Sequence, residues 1–297
     1  MLAFVTKWVA VKMLPFDNKN EIQVVIDMPE GTTLERTAVV TKEISQYLST
    51  VPEVVNYQNY VGSSAPITFN GLVRHYDLRG QSNTADIQVN LLHKEDRSEQ
   101  SHDIAKKIRP AIKKIASKYN ANVKVVEVPP GPPVLSTIVA EVYGPDYEEQ
   151  LKIAKQLKDR FNATENVLDA DWMVEDDQQE YHIEVDKEKA MRYGVVVAQV
   201  TATVNAALSG MPVGNMYQPA AYNQVGIKLQ LNDEDKSSLD DLLNITVTGA
   251  AGNGVLLRDV VTVKKQVRQK SIYRKNQKEV VYVVADMAGR LESPSYA

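Results

Sequence analysis

The densest group of chemically capable side chains in this chain is acidic: Asp169, Asp171, Glu175, Asp176 and Asp177, gathered around Trp172. Such carboxylates could hold a hard cation, but the run lacks the ligand order, turn glycine and closing glutamate of an EF-hand loop. It reads as a solvated hairpin. A hydrolase would have to draw its acid and base from Asp171 and Glu175 and would show turnover on esters or glycosides. The four histidines, His75, His93, His102 and His182, fall in separate predicted elements with neither HxxxH nor HExxH spacing, which argues against a zinc site. Residues 71–80, 249–254 and Gly226 supply glycines without the Lys-Ser/Thr that completes a phosphate loop. Ser63-Ser64 has no Gly-x-Ser-x-Gly frame. There is no cysteine, which excludes disulfides and thiolate chemistry and identifies no compartment. The expectation is a protein that is not an enzyme and carries neither metal nor cofactor.

The unusual feature is apolar. Pro66, Ile67, Phe69, Leu72, Val73 and Tyr76 lie in a long polar loop, residues 62–84, and Trp172-Met173 end a later strand. Loops beyond about 15 residues are usually functional or mobile. These side chains either pack over their own core or line a cleft between two folded units, a favoured place for ligands.

The elements that would position them repeat. Glu21–Met28 reads as a strand, a helix opens with Thr32 and Glu35 as a capping box and runs to about Ser49, and Val54–Val61 is a second strand. The pattern recurs as strand Ala85–Leu92, a helix from Asp96 (capped with Glu99) to Lys118 that Pro110 should kink, and strand Asn122–Val128. Pro129-Pro130-Gly131-Pro132-Pro133 forms a semi-rigid connector. A third copy follows: strand Thr137–Tyr143, helix Asp146–Phe161 capped by Asp146 and Glu149, strand Val167–Val174. Strand Glu180–Val185 comes next, and a closing partner for this second βαβ unit appears only at Glu279–Asp286. The intervening 186–264 reads as an insertion of short helices, a hairpin (Val213–Gln218, Gln224–Leu231) and further strands. The fold class is α+β: two ferredoxin-like (split βαβ) subdomains, the second interrupted by a mixed α/β subdomain.

At 297 residues the chain has room for two or three compact units. Its 43% hydrophobic and 24% charged content is ordinary for a globular protein. Its net charge of −4 and its scattered Lys and Arg argue against nucleic acid as a partner. Met1–Leu14 is apolar apart from Thr6, Lys7 and Lys12, shorter than the roughly 20 residues of a spanning helix. It lacks a signal-peptide layout. It is either an amphipathic terminal helix or disordered tail, or the outer end of a cut transmembrane helix with Trp8 and Lys12 at the interface.

Two stretches carry a resemblance. Leu14-Pro15-Phe16-Asp17-Asn18-Lys19 precedes Met28-Pro29-Glu30-Gly31-Thr32-Thr33-Leu34-Glu35-Arg36-Thr37, and Val185-Asp186-Lys187-Glu188-Lys189-Ala190 leads to Gly194-Val195. In this order they resemble the second large periplasmic loop of resistance-nodulation-division (RND) efflux transporters of the acriflavine-resistance, hydrophobe-amphiphile type. The resemblance runs from Leu14 to Gly289. It implies that 1–20 is the outer end of a truncated transmembrane helix with its linker, 21–134 a first porter subdomain, 135–185 with 265–297 a second, and 186–264 an inserted docking subdomain.

The implied function is proton-driven export of small hydrophobic or amphiphilic compounds, including drugs, by a homotrimer of the bacterial inner membrane. A periplasmic adaptor (membrane fusion) protein and an outer-membrane channel complete the complex, and no bond is made or broken. By position, the resemblance puts Gln23, Val25, Asp27, Phe69, Leu72, Tyr76, Val126, Val128, Trp172 and Met173 at the substrate cleft. Met216, Tyr217, Gln218, Tyr222 and Asn223 fall on the docking hairpin. Drug-exporting members carry phenylalanines where this chain has Lys124 and Val126, and an arginine near Asp171, so substrate preference does not transfer. The alternatives are a heavy-metal (Cu/Ag-type) exporter and a stand-alone periplasmic binding or scaffold module. The metal type gathers three methionines here. This chain has Met28 at one such position, with Ala85 and 132–135 near the others, and soft-metal binding needs several sulfur ligands together.

Overall fold

The computed structural model describes residues 17–66, 69–74, 76–127 and 134–288. The segment Met1–Leu14, residue Val128 and the whole proline-rich connector, residues 129–133, lie outside them. Among the described residues no helix is long and apolar enough to cross a membrane. The chain divides into two compact units, with boundaries after Gln178 and after Arg268.

The first unit opens with β1 (Glu21–Asp27), α1 (Leu34–Leu48), β2 (Val54–Val61), α2 (Phe69–Arg74), β3 (Thr84–Leu91), α3 (Ser101–Ser117) and β4 (Asn122–Val126). The four strands form one antiparallel sheet in the order β2-β3-β1-β4. Strand alternation decides which face is covered. Ile22, Val24 and Ile26, with Ile87, Val89, Val123 and Val125, pack with Val40, Ile44 and Leu48 of α1 and Ile104, Ile108 and Ile112 of α3. Burying each such side chain is worth about 1.5–3 kcal/mol. The register then places Gln23, Val25, Asp27, Asp86, Lys124 and Val126 together on the opposite face.

Two expected helix starts are displaced. Thr32 does not cap α1; its hydroxyl donates to Pro29 O at 2.6 Å, and the helix begins after Thr33. The helix expected from Asp96 begins at Ser101. Arg97 claims the intervening backbone by donating to the carbonyls of Leu92, Glu99 and Lys19 and to Asn18 Oδ1, a set that a helical 96–100 would break. The assigned helix then continues through Pro110.

The second half of this unit begins with β5 (Ile138–Val142), α4 (Tyr147–Ala163) and β6 (Val167–Trp172). Here the expected cap forms: the Asp146 carboxylate accepts from the Glu149 amide at 2.9 Å. The chain passes through the second unit and returns with β13 (Arg274–Lys275), β14 (Lys278–Glu279) and β15 (Val281–Met287). β15 is the centre of an antiparallel sheet, β5-β15-β6. Leu151, Ala154, Leu157 and Phe161 of α4 pack on Val142, Val281 and Val283.

The second unit contains β7 (Gln179–Val185), α5 (Lys187–Arg192), α6 (Val197–Leu208), β8 (Met211–Met216), β9 (Val225–Leu229), α7 (Asp233–Lys236), α8 (Leu239–Leu243), β10 (Thr246–Thr248), β11 (Gly254–Leu256), α9 (Leu257–Val260) and β12 (Val261–Val267). The strand at 179–185, assigned from sequence to the second porter subdomain, pairs along its whole length with β12 of this unit. Its apolar end explains why: Val185 and Val261 pack on Ala190, Val195, Val200 and Val260. The expected insertion 186–264 thus lies within a unit spanning 179–268.

Asp186 caps α5 through the Lys189 amide, and Gly194 at φ +68 ends that helical turn. A Cβ at Gly194 would stand 2.8 Å from the Ala250 Cβ and 3.0 Å from its amide nitrogen, which donates to Gly194 O. Left-handed backbone alone costs a side-chain-bearing residue about 1–2 kcal/mol. Gly194→Ala is therefore expected to destabilise the second unit by at least that much, read as a lower urea midpoint; an unchanged midpoint would show that the turn can relax.

Candidate functional site

The first unit encloses a cleft of about 760 Å³ between its two halves, residues 17–127 on one side and 134–178 with 269–288 on the other. Asp27, Tyr76, Arg79 and Lys124 line it from the first half; Asp171, Trp172, Met173 and Asp286 line it from the second.

The long loop 62–79 is fastened at both ends to the first sheet. The Gly62 amide donates to Thr84 O at 2.8 Å and the Ala65 amide to Asp86 Oδ2 at 2.9 Å. Arg79 donates to Ile26 O and Asp27 Oδ1, each at 2.6 Å, and also to Asp86. Its middle is tied to the other half. Arg74 Nη1 meets Asp286 Oδ2 at 3.2 Å, with the arginine buried and the aspartate 13% exposed. Asp286 also accepts from Ser136 Oγ at 2.6 Å and from the Thr137 amide and hydroxyl at 3.1 Å. One carboxylate on the central strand β15 therefore anchors both the loop and the chain leaving the connector.

Lys124 lies at the centre of the cleft. Its ammonium is 3.5 Å from Asp27 Oδ2 and pairs with Asp171. Asp171 further takes Lys158 at 3.2 Å, Asn122 Nδ2 at 3.0 Å and its neighbour's amide at 2.9 Å, and Lys158 lies 5.4 Å from the Trp172 ring centre. Beside it, β6 bulges: pairing with β15 slips between Asp171↔Val284 and Leu168↔Asp286. Asp169, at φ +52 in the bulge, turns a buried carboxylate to Lys113 Nζ at 2.7 Å and Arg109 at 3.6 Å. A residue held in so sparsely populated a conformation costs about 1–3 kcal/mol and needs its surroundings to keep it there.

Burial alone would discharge these groups. It pushes Lys124 down, but Asp27 and Asp171 outweigh it and hold the ammonium well above the ordinary lysine range. Burial likewise raises Asp171 and Asp286, yet Lys124 and Lys158 for the former, and Arg74, Ser136 and Thr137 for the latter, keep both below the usual carboxylate range. Asp86 goes the other way: burial dominates over Arg79 and the Ala65 amide and lifts it. Among the described residues no three His, Asp or Glu side chains converge as a metal-holding group. The arrangement is a slot lined by paired charges, with Trp172 and Met173 on one wall.

Of the residues assigned to the cleft from sequence, Asp27, Tyr76, Trp172 and Met173 come together. Gln23, Val25 and Val126 occupy the helix-free sheet face, as alternation requires, but are buried and outside the cleft lining. Leu72 projects from α2 with 60% of its surface exposed and does not line the cleft. Phe69 has its backbone in α2; its side chain and Val128 lie outside the described part. Met28, at the cleft wall, is 4% exposed and packs in the first half's core. In the second unit Met216, Tyr217, Gln218, Tyr222 and Asn223 are all exposed at the end of the β8–β9 hairpin. Sequence reasoning did not assign Arg74, Arg79, Lys158 or Asp286 to the cleft, and noted Lys124 only as a departure. The available signal was a charge inside an apolar strand run, Val123-Lys124-Val125 and Val283-Val284-Ala285-Asp286.

Comparison with known proteins adds three findings. The model of the AcrB/AcrD/AcrF family matches residues 1–295. The nickel and cobalt resistance protein CnrA of Cupriavidus metallidurans is 26% identical over 162 residues, 53% of this chain and 15% of that protein; the nickel-cobalt-cadmium resistance protein NccA of Alcaligenes xylosoxydans xylosoxydans gives the same figures. The crystal structure of a heavy metal efflux pump superposes with a TM-score of 0.74 at 18% identity, covering 99% of this chain and 29% of that one. The chain thus spans less than a third of these proteins.

Proposed function

Since the chain belongs to the AcrB/AcrD/AcrF family of RND transporters, we propose that it is the periplasmic part of an inner-membrane efflux pump and that metal cations are its cargo. The family match along the chain carries the first part. In this reading the two halves of the first unit are the porter subdomains, each built on a ferredoxin-like plan. The strand order β2-β3-β1-β4 under two helices supports that plan for the first. The second unit is the docking subdomain, its hairpin tip meeting neighbouring protomers of a trimer or the adaptor and channel. The segment carries substrate by opening and closing its cleft, driven from the membrane, and makes no covalent change.

The cargo class rests on the relatives CnrA and NccA together with the cleft's composition. A hydrophobic compound would have to sit among Asp27, Lys124, Asp171 and Lys158 without restoring their hydration, which is unfavourable. A hydrated or partly hydrated cation can exchange with the lysines at these carboxylates and move on. The amphiphile reading draws its support from Trp172 and Met173.

The intact gene with its partner genes, expressed in a host stripped of its own exporters, is expected to raise tolerance to Ni²⁺, Co²⁺ or Cd²⁺ by severalfold and leave tolerance to dyes and bile acids unchanged. The reverse pattern would replace metals with amphiphiles as the cargo.

A further inference from the structure

Among the described residues, the two halves of the first unit keep separate apolar interiors. One cluster draws only on residues between Ile22 and Val125; the other two draw only on residues between Ile138 and Met287. Among the described residues, what crosses between the halves beside the Asn122–Asp171 hydrogen bond is charge. Arg74 meets Asp286, Arg109 and Lys113 meet Asp169, and Lys124 meets Asp171. In each of these four pairs the cation stands on the first half and the carboxylate on the second. The backbone is shaped to this end, since the bulge in β6 and the left-handed Asp169 aim one of the three carboxylates across the seam.

We infer that the seam is a one-way charge zipper, which holds the cleft shut and lets the halves part without uncovering either core. Separating packed apolar faces exposes hydrocarbon to water and is opposed in proportion to area. Separating ion pairs returns both partners to water, so the lost attraction is largely offset by regained hydration. Segregating the signs also keeps the two faces attractive at a distance, whatever their register of approach. The inference deepens the proposed transport role by naming what the moving faces are made of, and it rests on the reading that the cleft opens.

The test uses the whole 297-residue chain, which has no cysteine of its own. Spin labels at Lys114→Cys on α3 and Lys155→Cys on α4, both exposed positions, report the separation of the halves by double electron–electron resonance. Raising salt from 0.01 M to 1 M shortens the screening length from about 30 Å to about 3 Å. The expected result is a shift of the distance distribution to longer, broader values with salt. A larger shift of the same sense is expected on adding Asp169→Asn and Asp171→Asn at low salt, with helical ellipticity retained. A distribution unmoved by both treatments overturns the zipper. If the Asn variant loses its fold, the salt series on the labelled parent decides alone. The readout needs no substrate, so a cargo other than metal leaves it untouched, and a seam that stays closed leaves the tolerance experiment standing.

Discussion

Asp286→Ala is expected to lower the stability of the first unit by about 3–5 kcal/mol, the range for removing one partner of a buried ion pair. The cost arises in the groups left behind. Arg74 would keep its charge in a buried place with no carboxylate opposite, and Ser136 and Thr137 would lose their shared acceptor. The pH dependence follows from the sign of the shift. Because the folded protein holds Asp286 below its unfolded value, its contribution is present in full above the ordinary carboxylate range and disappears as pH falls through the depressed folded value. The gap between parent and variant should therefore be constant from pH 5 to pH 8 and narrow progressively once the pH falls below the ordinary carboxylate range. Urea midpoints followed by hydrogen exchange in β15 and residues 134–140 would show it. A gap below about 1 kcal/mol at pH 7 would put this pair among the many that contribute nothing measurable.

On the proposed transport role, locking the cleft should abolish efflux by the intact protein. Asn122 and Asp171 face each other across it, with Asn122 Nδ2 3.0 Å from Asp171 Oδ2. In the intact pump, Asn122→Cys with Asp171→Cys, joined by a short bis-methanethiosulfonate reagent, is expected to reduce efflux at least tenfold. Reduction of the link should return it to the level of the unlinked double variant. Alternating access requires the two halves to part once per cycle, and a covalent tie at their centre removes that freedom. Full cross-linking with efflux unchanged would take the cleft out of the transport path.

How much could be read beforehand depended on whether the deciding interaction was local. The helix 147–163 was legible because Asp146 and its acceptor geometry lie within three residues and nothing competes for them. The starts near Thr32 and Asp96 had the same pattern and failed. In the second case Arg97 ties strand end, loop and N-terminal residues together, and its reach to Asn18 is invisible to a window of a dozen residues. Strand 179–185 is legible as a strand but not as part of the second unit, since pairing with 261–267 depends on where Val185 can be buried.

The cleft shows the same division. Alternation put Gln23, Val25, Asp27 and Val126 on one face, which is where they are. It could not say that most of that face is covered, leaving only Asp27 of the four in the cleft lining. The buried lysine at 124 and aspartate at 286 were the stronger clues. A charge in the middle of a β-branched run has to be paired, and the partner's location marks where two pieces of structure meet.

The separation of the two apolar interiors carries a consequence for how such proteins can diversify. A packed boundary constrains every side chain that touches it, so neither side can drift alone. Here each half is a replaceable part: a graft from a distant relative would need to preserve the signs at seven positions, Arg74, Arg109, Lys113 and Lys124 against Asp169, Asp171 and Asp286, while its interior came along intact.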